Sequence, residues 1–200
     1  SKPEFNQPEI GIAFNRDQSD SIQANSSLLN ITSDGLTQVI VFKPTDLSEL
    51  TYYGLLGHQT SSRRPSLWIN SGSEVAQYSI HDSLTVENHS YVGYKSTPPS
   101  VLGWTSENSI KVNNDYIVTA SYDYESGVSK IYINGELATI KNLGENKNYF
   151  SSDTLIVGKV DNYFEGIVRE VLVFSKDVAQ NDINKIHQYL ASKWNLTSNV

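Results

Sequence analysis

The chain has 200 residues, of which 38% are hydrophobic, with 12 tyrosines, no cysteine and a formal net charge of -7. This length suits one large domain. The acidic balance argues against nucleic acid as a partner, because phosphate binding needs a basic patch, and the absence of cysteine excludes disulfides and thiolate metal sites. No apolar run approaches the roughly 18 residues that signal a membrane-spanning helix, so we expect no membrane insertion.

Residues 1–9 contain two prolines and predict an extended lead-in, and residues 10–200 predict a single domain. The N-terminus has no signal-peptide pattern. Because the sequence contains no methionine, we interpret Ser1 as a processed or trimmed end.

Short runs rich in β-branched and aromatic residues recur along the chain with turn residues between them. The predicted strands are 10–14, 21–24, 36–43, 52–58, 66–69, 74–80, 115–122, 128–133, 136–140, 154–158 and 163–174, with 91–94 and 101–105 as weaker candidates. Asn134-Gly135, between two of these runs, is the strongest hairpin signal in the chain. We see no internal repeat and no domain linker.

The last predicted strand is apolar on both faces, which indicates a strand inside a two-layer stack. Simple alternation places Ile167, Val171 and Val173 on one face. The other face is then formed by Phe164, Val168, Leu172 and Phe174. A glycine within this strand, Gly166, predicts a bulge or a close approach of another backbone.

The periodicity becomes helical after this strand. The apolar stripe is formed by Val178, Ile183, Ile186, Tyr189, Leu190 and Trp194. Ser175 or Asp177 could cap the start of the helix. The helix needs an apolar surface to cover, and we expect the preceding sheet to supply it, with Tyr189 and Trp194 packed against it.

Many short strands followed by one terminal helix predict an all-β fold. We therefore expect an antiparallel two-sheet β-sandwich (jelly roll) with a C-terminal α-helix packed on the sandwich.

The order of these segments resembles that of the laminin-G-like and concanavalin A-like lectin-glucanase jelly rolls, which include the pentraxins. The segments that carry the resemblance are 12–22, 36–43, 116–122, 131–137, 164–174 and 186–194. Asp115-Tyr116 stands where the family often has a Trp-His pair. The ending, with Tyr189-Leu190 and Lys193-Trp194, is similar to that of bacterial and phage surface proteins. The resemblance implies two curved sheets, usually of seven and six strands or similar, and does not imply a particular ligand.

Relatives of this type often bind calcium on loops at the rim of the sandwich, with carboxylate and backbone oxygens as ligands. The residues that the resemblance offers for calcium are Asp17, Asp20, Asp123, Asp161 and Asn162. Ordinary acidic turns are the alternative explanation for the same residues. No other cofactor is implied.

Exposed aromatic side chains could stack on a sugar ring, and arginines could contact an acidic sugar or phosphate. The ligand-binding candidates lie in the irregular middle of the chain and are Arg63, Arg64, Tyr91, Tyr94 and Trp104. Trp68 lies in a predicted strand, and we assign it to the core.

The sequence offers no recognisable catalytic set. The Glu-x-Asp-x-x-Glu pattern of sandwich-fold glycanases is missing, and the nearest acidic pair, Asp123 and Glu125, falls in a predicted turn. Arg169 and His187 are residue types that jelly-roll lyases use. We expect Arg169 to pair with Glu165 or Glu170, or to cover the sheet, and His187 to be structural.

Three functions stay open. The first is a non-catalytic module that binds glycan or another surface ligand, as part of an extracellular adhesin or a phage virion protein. The second is a structural or assembly domain, such as a virion decoration or tail-associated domain, whose N-terminal arm docks a neighbour or which self-assembles. The third is a polysaccharide-cleaving enzyme. The first two predict an extracellular, cell-surface or virion-exposed location.

Overall fold

The computed structural model describes residues 4–5, 11–24, 34–48, 52–58, 66–70, 75–79, 110–142, 154–159 and 162–196. These residues form two antiparallel β-sheets and one helix at the C-terminal end. The predicted strands at 91–94 and 101–105 lie outside the described residues.

The larger sheet has seven described strands, in the spatial order β1-β2-β12-β4-β8-β9-β10. Their bounds are Glu4–Phe5 (β1), Ile12–Phe14 (β2), Gly166–Phe174 (β12), Leu36–Pro44 (β4), Tyr116–Tyr122 (β8), Val128–Ile133 (β9) and Glu136–Asn142 (β10). The lead-in thus contributes a short strand that pairs with β2 of the same chain.

The smaller sheet has five described strands, in the order β3-β11-β5-β6-β7. Their bounds are Ile22–Ala24 (β3), Leu155–Val157 (β11), Tyr52–His58 (β5), Ser66–Asn70 (β6) and Val75–Ser79 (β7). All pairings within the two sheets are antiparallel, so the predicted two-sheet jelly-roll sandwich is confirmed.

The main core lies between the sheets. Leu36, Ile40 and Phe42 alternate along β4 and point toward the smaller sheet, where Leu55 and Leu67 meet them. The intervening residues of β4 point the other way. Both faces of β4 are therefore buried. A central strand with two buried faces needs apolar residues at nearly every position, which is why the strongest β-branched runs of the sequence form central strands.

The outer face of the seven-stranded sheet is covered by helix α1, Gln180–Trp194. Leu190 is fully buried there against Val39, Val41 and Ile117. The prediction that the helix packs on the preceding sheet is therefore confirmed, with Trp194 at the margin of this cluster.

Two details of the predicted helix were wrong. The N-cap residue is Ala179, with no side-chain hydrogen bond, so neither Ser175 nor Asp177 caps the helix. Tyr189 is 60% exposed and does not pack on the sheet. The buried helix positions are 183, 187 and 190, and a side chain one residue before Leu190 points about 100° away from that stripe.

Gly166 opens β12 in a conformation with φ 151, and a Cβ there would lie 2.3 Å from the Lys43 carbonyl oxygen. The predicted close approach of another backbone is confirmed. A bulge then follows between Val168 and Glu170.

The bulge changes which residues share a face of β12. Val168 lies in the main core together with Val171 and Val173, while Leu172 and Phe174 lie against the helix cluster. The simple alternation predicted from the sequence was therefore wrong beyond Val168, because an extra residue shifts the side-chain parity.

The Asn134-Gly135 turn joins β9 to β10 with φ values of 50 and 90, as a two-residue hairpin with positive φ requires. The predicted hairpin is confirmed.

Candidate functional site

The five ligand-binding candidates from the sequence lie outside the described residues. They are Arg63, Arg64, Tyr91, Tyr94 and Trp104, and their role stays a prediction. Trp68, in contrast, is 1% exposed in β6, so its assignment to the core is confirmed.

The candidate calcium residues are divided between the two ends of the sandwich. Asp17 and Asp20 follow β2, whose last residue Phe14 pairs with Gly166 at the start of β12. Asp123 follows Tyr122, which pairs with Leu36 at the opposite end of β4. These carboxylates therefore cannot ligate one common ion.

The carboxylate of Asp123 is occupied by its own turn. It accepts hydrogen bonds from the backbone N–H groups of Glu125 and Ser126 and from the Ser126 hydroxyl. The Ser126 hydrogen bond also holds the pKa of Asp123 below its usual value. Asp123 thus acts as the organiser of a tight turn.

The other calcium candidates show no shared site in the described part of the chain. Asp17 is exposed, and Asp20 is 2% exposed with Oδ2 accepting from the Asn15 N–H at 3.1 Å. Asp161 lies outside the described residues, whereas Asn162 is exposed. Among the described residues no group of three His, Cys, Asp or Glu side chains could hold a metal ion. Calcium binding stays a prediction.

The residues named as enzyme candidates are engaged in structural contacts. Arg169 pairs with Asp115 at 2.6 Å, so the expected pairing with Glu165 or Glu170 was wrong. Arg169 follows Val168 at the bulge, so alternation along the strand does not predict its partner.

His187 is fully buried, and its Nε2 lies 2.7 Å from the Thr119 hydroxyl. Burial lowers the pKa of His187 to about 4, so its imidazole is neutral at physiological pH.

Polar side chains form hydrogen bonds between the two sheets at the β2–β3 end of the sandwich. They are arranged around the turn from Asn15 to Asp20, which reverses the chain between β2 in the larger sheet and β3 in the smaller one. Ser19 has φ 59, and its N–H donates to the Arg16 carbonyl at 2.9 Å. The turn presents Arg16 and Ser19 to different neighbours.

Arg16 is the cross-link of this surface. Its guanidinium donates to the Tyr53 hydroxyl at 2.9 Å and to Asp46 Oδ2 at 2.9 Å. Its backbone N–H donates to Glu165 Oε2 at 2.6 Å. Hydrogen bonds from Ser48, aided by Arg16, lower the pKa of Asp46. Tyr53 belongs to the smaller sheet, whereas Asp46 follows β4 of the larger one, so Arg16 holds the sheets together.

A second cation lies on the far side of the same turn. The Lys159 ammonium donates to the Tyr163 hydroxyl at 3.0 Å and stands 4.5 Å from the centre of the Tyr163 ring. The Ser19 side chain is a second polar neighbour of the Tyr163 hydroxyl. The hydrogen bond from Lys159, followed by its positive charge, lowers the pKa of Tyr163.

The backbone that carries Lys159 and Tyr163 is fixed at both ends. The Gly158 N–H donates to the Leu55 carbonyl at 3.0 Å, and the Phe164 N–H donates to the Gly158 carbonyl at 2.9 Å. Gly158 has φ 82, and a Cβ there would lie 2.3 Å from the Phe14 ring. Only glycine satisfies both conditions.

We call Ser19, Lys159, Asn162 and Tyr163 the Lys159 surface. Lys159 and Tyr163 are half-buried, and Ser19 and Asn162 are exposed. Lys159 and Tyr163 place a cation, an aromatic ring and a hydroxyl close together, a combination suited to a polar ligand with apolar patches. The sequence drew attention to Asp161 and Asn162 but not to Lys159 or Tyr163. The sequence shows Gly158 before Lys159, but the left-handed φ of this glycine is visible only in the structure.

No family model and no curated protein matches this sequence. Solved structures do. The receptor binding domain of botulinum neurotoxin D has a TM-score of 0.66 at 18% identity over 94% of this chain. The ligand binding domain of serotype D in complex with N-acetylneuraminic acid gives 0.65 at 16% identity over 94% of this chain. A SAP-like pentraxin of Limulus polyphemus gives 0.57 at 13% identity over 92% of this chain.

These similarities show the fold: the chain is a jelly-roll β-sandwich. The chain spans 79% of the pentraxin, but only 46% and 44% of the two neurotoxin chains. The similarity to the neurotoxin domains therefore concerns less than half of each of those chains. Within the described residues, no helix is long and apolar enough to cross a membrane.

Proposed function

We propose that this chain is a non-catalytic recognition module that binds a glycan or another surface ligand at the rim of the sandwich. The observation that carries the proposal is the Lys159 surface, where the ammonium of a half-buried lysine is hydrogen-bonded to the hydroxyl of a half-buried tyrosine, 4.5 Å from the centre of its ring. The fold, shared with a receptor binding domain and with a domain bound to N-acetylneuraminic acid, supports it.

Recognition is favoured over polysaccharide cleavage by the state of the candidate catalytic groups. Asp123 is held by its turn, and Arg169 has a side chain 9% exposed in an ion pair with Asp115. His187 is buried and has a lowered pKa. A general acid or base must reach substrate, and none of these three groups is placed to do so.

A ligand-binding module of this kind would act in an extracellular adhesin or a phage virion protein, exposed at the cell or particle surface. The partners would be glycans or a host or neighbouring protein. This setting rests on the resemblance of the closing strand and helix to bacterial and phage surface domains.

A structural or assembly role is the second candidate, and one surface feature favours it. Leu137 and Ile140 on β10 are 50% and 56% exposed, and β10 is the last described strand at that edge of the seven-stranded sheet. Light scattering after size exclusion would support this role if an oligomer forms that the Leu137→Lys, Ile140→Lys double variant abolishes. A monomer at all concentrations would count against self-assembly.

The proposal includes calcium binding at the rim of the sandwich. A calorimetric titration of the wild-type chain with calcium chloride decides it. Heat that disappears in an Asp17→Asn, Asp20→Asn double variant supports a site at the β2–β3 turn. Heat that disappears only in Asp123→Asn assigns the ion to the opposite end, and no heat removes calcium from the proposal.

A glycan array, read with and without calcium, tests the recognition function. We expect the wild-type chain to bind a subset of glycans. Trp104→Ala and the Arg63→Ala, Arg64→Ala pair test the predicted middle-segment residues, and Tyr189→Ala is the matched control for an exposed aromatic side chain. Absence of binding under both conditions would contradict the proposed function.

A further inference from the structure

We propose that the Lys159 surface binds the carboxylate of an acidic sugar, so that the glycan recognised by this module carries a sialic or uronic acid. The inference rests on the proposed function and adds the chemical class of the ligand and the residues that recognise it. Lys159 would hold the carboxylate, and the Tyr163 ring and the Ser19 hydroxyl would contact the adjoining sugar atoms.

The ammonium of Lys159 has capacity for an anion. It can donate three hydrogen bonds, and one of them goes to the neutral hydroxyl of Tyr163. The described ion pairs of other cations are Arg16–Asp46, Arg169–Asp115, Lys185–Asp182 and Lys193–Glu170. Among the described carboxylates none pairs with Lys159. A cation held at a fixed position by a neutral partner keeps its charge available for a ligand.

The surface is organised before any ligand arrives. The Tyr163 hydroxyl accepts a hydrogen bond from Lys159, and the Ser19 side chain is its polar neighbour. The backbone of Tyr163 is fixed by the Phe164 to Gly158 hydrogen bond. Side chains that are already ordered lose little conformational entropy on binding, which favours affinity from a small contact area.

The negative charge of the rest of the chain means that an acidic glycan would not bind through nonspecific attraction. The net charge of -7 opposes nonspecific attraction of anions, so binding of an acidic glycan needs a local cation. Arg16 on the same turn is already neutralised by Asp46 at 2.9 Å. Lys159 is therefore the group on this surface whose charge an acidic sugar would meet.

The test compares sialyllactose with lactose, which differ by the acidic sugar, as immobilised ligands for the wild-type chain, three variants of the Lys159 surface and one control variant. Lys159→Met removes the charge and keeps the side-chain length, Lys159→Arg restores a charge, and Tyr163→Phe removes the hydroxyl alone. Lys185→Met removes one positive charge from an exposed position of helix α1 and is the control for net charge. Thermal melts establish that each variant is folded.

We expect sialyllactose, or the equivalent uronic-acid pair on the array, to bind more tightly than its neutral counterpart. Lys159→Met should weaken binding of the acidic member about tenfold or more, the amount that a charge-assisted hydrogen bond supplies. Lys159→Arg should retain most of the affinity, and Lys185→Met all of it. Added salt should weaken binding by the wild type more than by Lys159→Met.

A second measurement separates this inference from the proposed function. Glucuronate and glucose are titrated into the labelled chain while the amide NMR signals of Gly158 and Tyr163 are followed. Shifts with glucuronate only, lost in Lys159→Met, support the acid site even if no array glycan binds. Neutral glycans bound equally well, with no effect of Lys159→Met, would overturn the acid site and leave glycan recognition standing. No response to glucuronate, together with equal binding of sialyllactose and lactose, would also overturn it.

Discussion

Polar residues at the rim of the sandwich act in two different ways. Asp123 and Asp20 use their carboxylates to close the turns in which they lie. Lys159 and Tyr163 instead present a charge and a ring at the surface. An acidic residue in a turn is therefore poor evidence for a metal site unless its oxygens are free of the turn's own N–H groups.

His187 predicts how the stability of the domain depends on pH. Burial lowers its pKa to about 4, while an unfolded histidine titrates near 6.5. The unfolded chain therefore binds the proton more readily, and the stability present above pH 6.5 is lost as the pH falls toward 4. The full loss from this residue is about 3 kcal/mol.

Urea unfolding of the wild type and of His187→Gln at a series of pH values checks this prediction. The amide can still hydrogen-bond with Thr119 but does not titrate. The decline of the unfolding free energy between pH 6.5 and 4.5 should be smaller in the variant. Parallel declines would mean that His187 is not responsible.

Gly158 precedes Lys159 of the Lys159 surface, and we expect its replacement by alanine to destabilise the domain. Alanine there would adopt a left-handed φ of 82 and place its Cβ 2.3 Å from a carbon of the Phe14 ring. Backbone strain and overpacking together should cost about 2–4 kcal/mol of unfolding free energy. Denaturant unfolding measures this loss, and a Gly158→Ala variant as stable as the wild type would contradict the described backbone.

At the scale of elements, helix α1 packs on the sheet through two apolar clusters. Leu190 is its fully buried member in the cluster with Val39, Val41 and Ile117. Leu190→Ala should lower the unfolding free energy by about 2–5 kcal/mol, because it removes a buried side chain and leaves a cavity. Tyr189→Ala, one residue away and 60% exposed, should change it by less than about 0.5 kcal/mol.

Chemical denaturation of the two helix variants, followed by tryptophan fluorescence and circular dichroism, measures the difference. Similar losses for both would show that the helix is oriented differently on the sheet. A small loss for both would show that the helix contributes little to the stability of the sandwich.

The sequence predicted most elements because their signals are local. The β-branched run 36–43 and the Asn134-Gly135 turn each determine structure within a few residues. The faces of β12 beyond Val168 were not predictable in this way, since the bulge depends on pairing with β4. Neither was the pairing of Arg169 with Asp115, which are 54 residues apart.

The Lys159 surface was not predicted either, because it too depends on contacts between residues that are distant in the sequence. Ser19 and Tyr163 are far apart in sequence, and they meet because the β2–β3 turn and the loop before β12 share one end of the sandwich. Aromatic and basic residues of the middle segment gave a stronger local signal. A glycine with positive φ beside a lysine becomes informative only when the fold is known.

At the scale of the whole molecule, the two sheets are joined by the core and, at the β2–β3 end, by Arg16. This arginine lies on the turn and reaches Tyr53 of the smaller sheet as well as Asp46 beside the larger one. Its side chain is 18% exposed, so water only partly screens these contacts. The cross-link and the Lys159 surface share one six-residue turn, so we expect closure of the sheets and the proposed ligand binding to be interdependent.

Arg16→Ala should therefore lower both stability and ligand binding. The loss of two charge-assisted hydrogen bonds, with the Tyr53 hydroxyl left buried, should cost about 2–4 kcal/mol of unfolding free energy. Arg16→Lys should recover only part of it, because an ammonium cannot reproduce the planar fork that contacts both partners. Denaturant unfolding and sialyllactose binding are measured on the same samples. If Arg16→Ala unfolds more easily yet binds as the wild type does, then the turn holds Ser19 in place without the cross-link, and the two properties are independent.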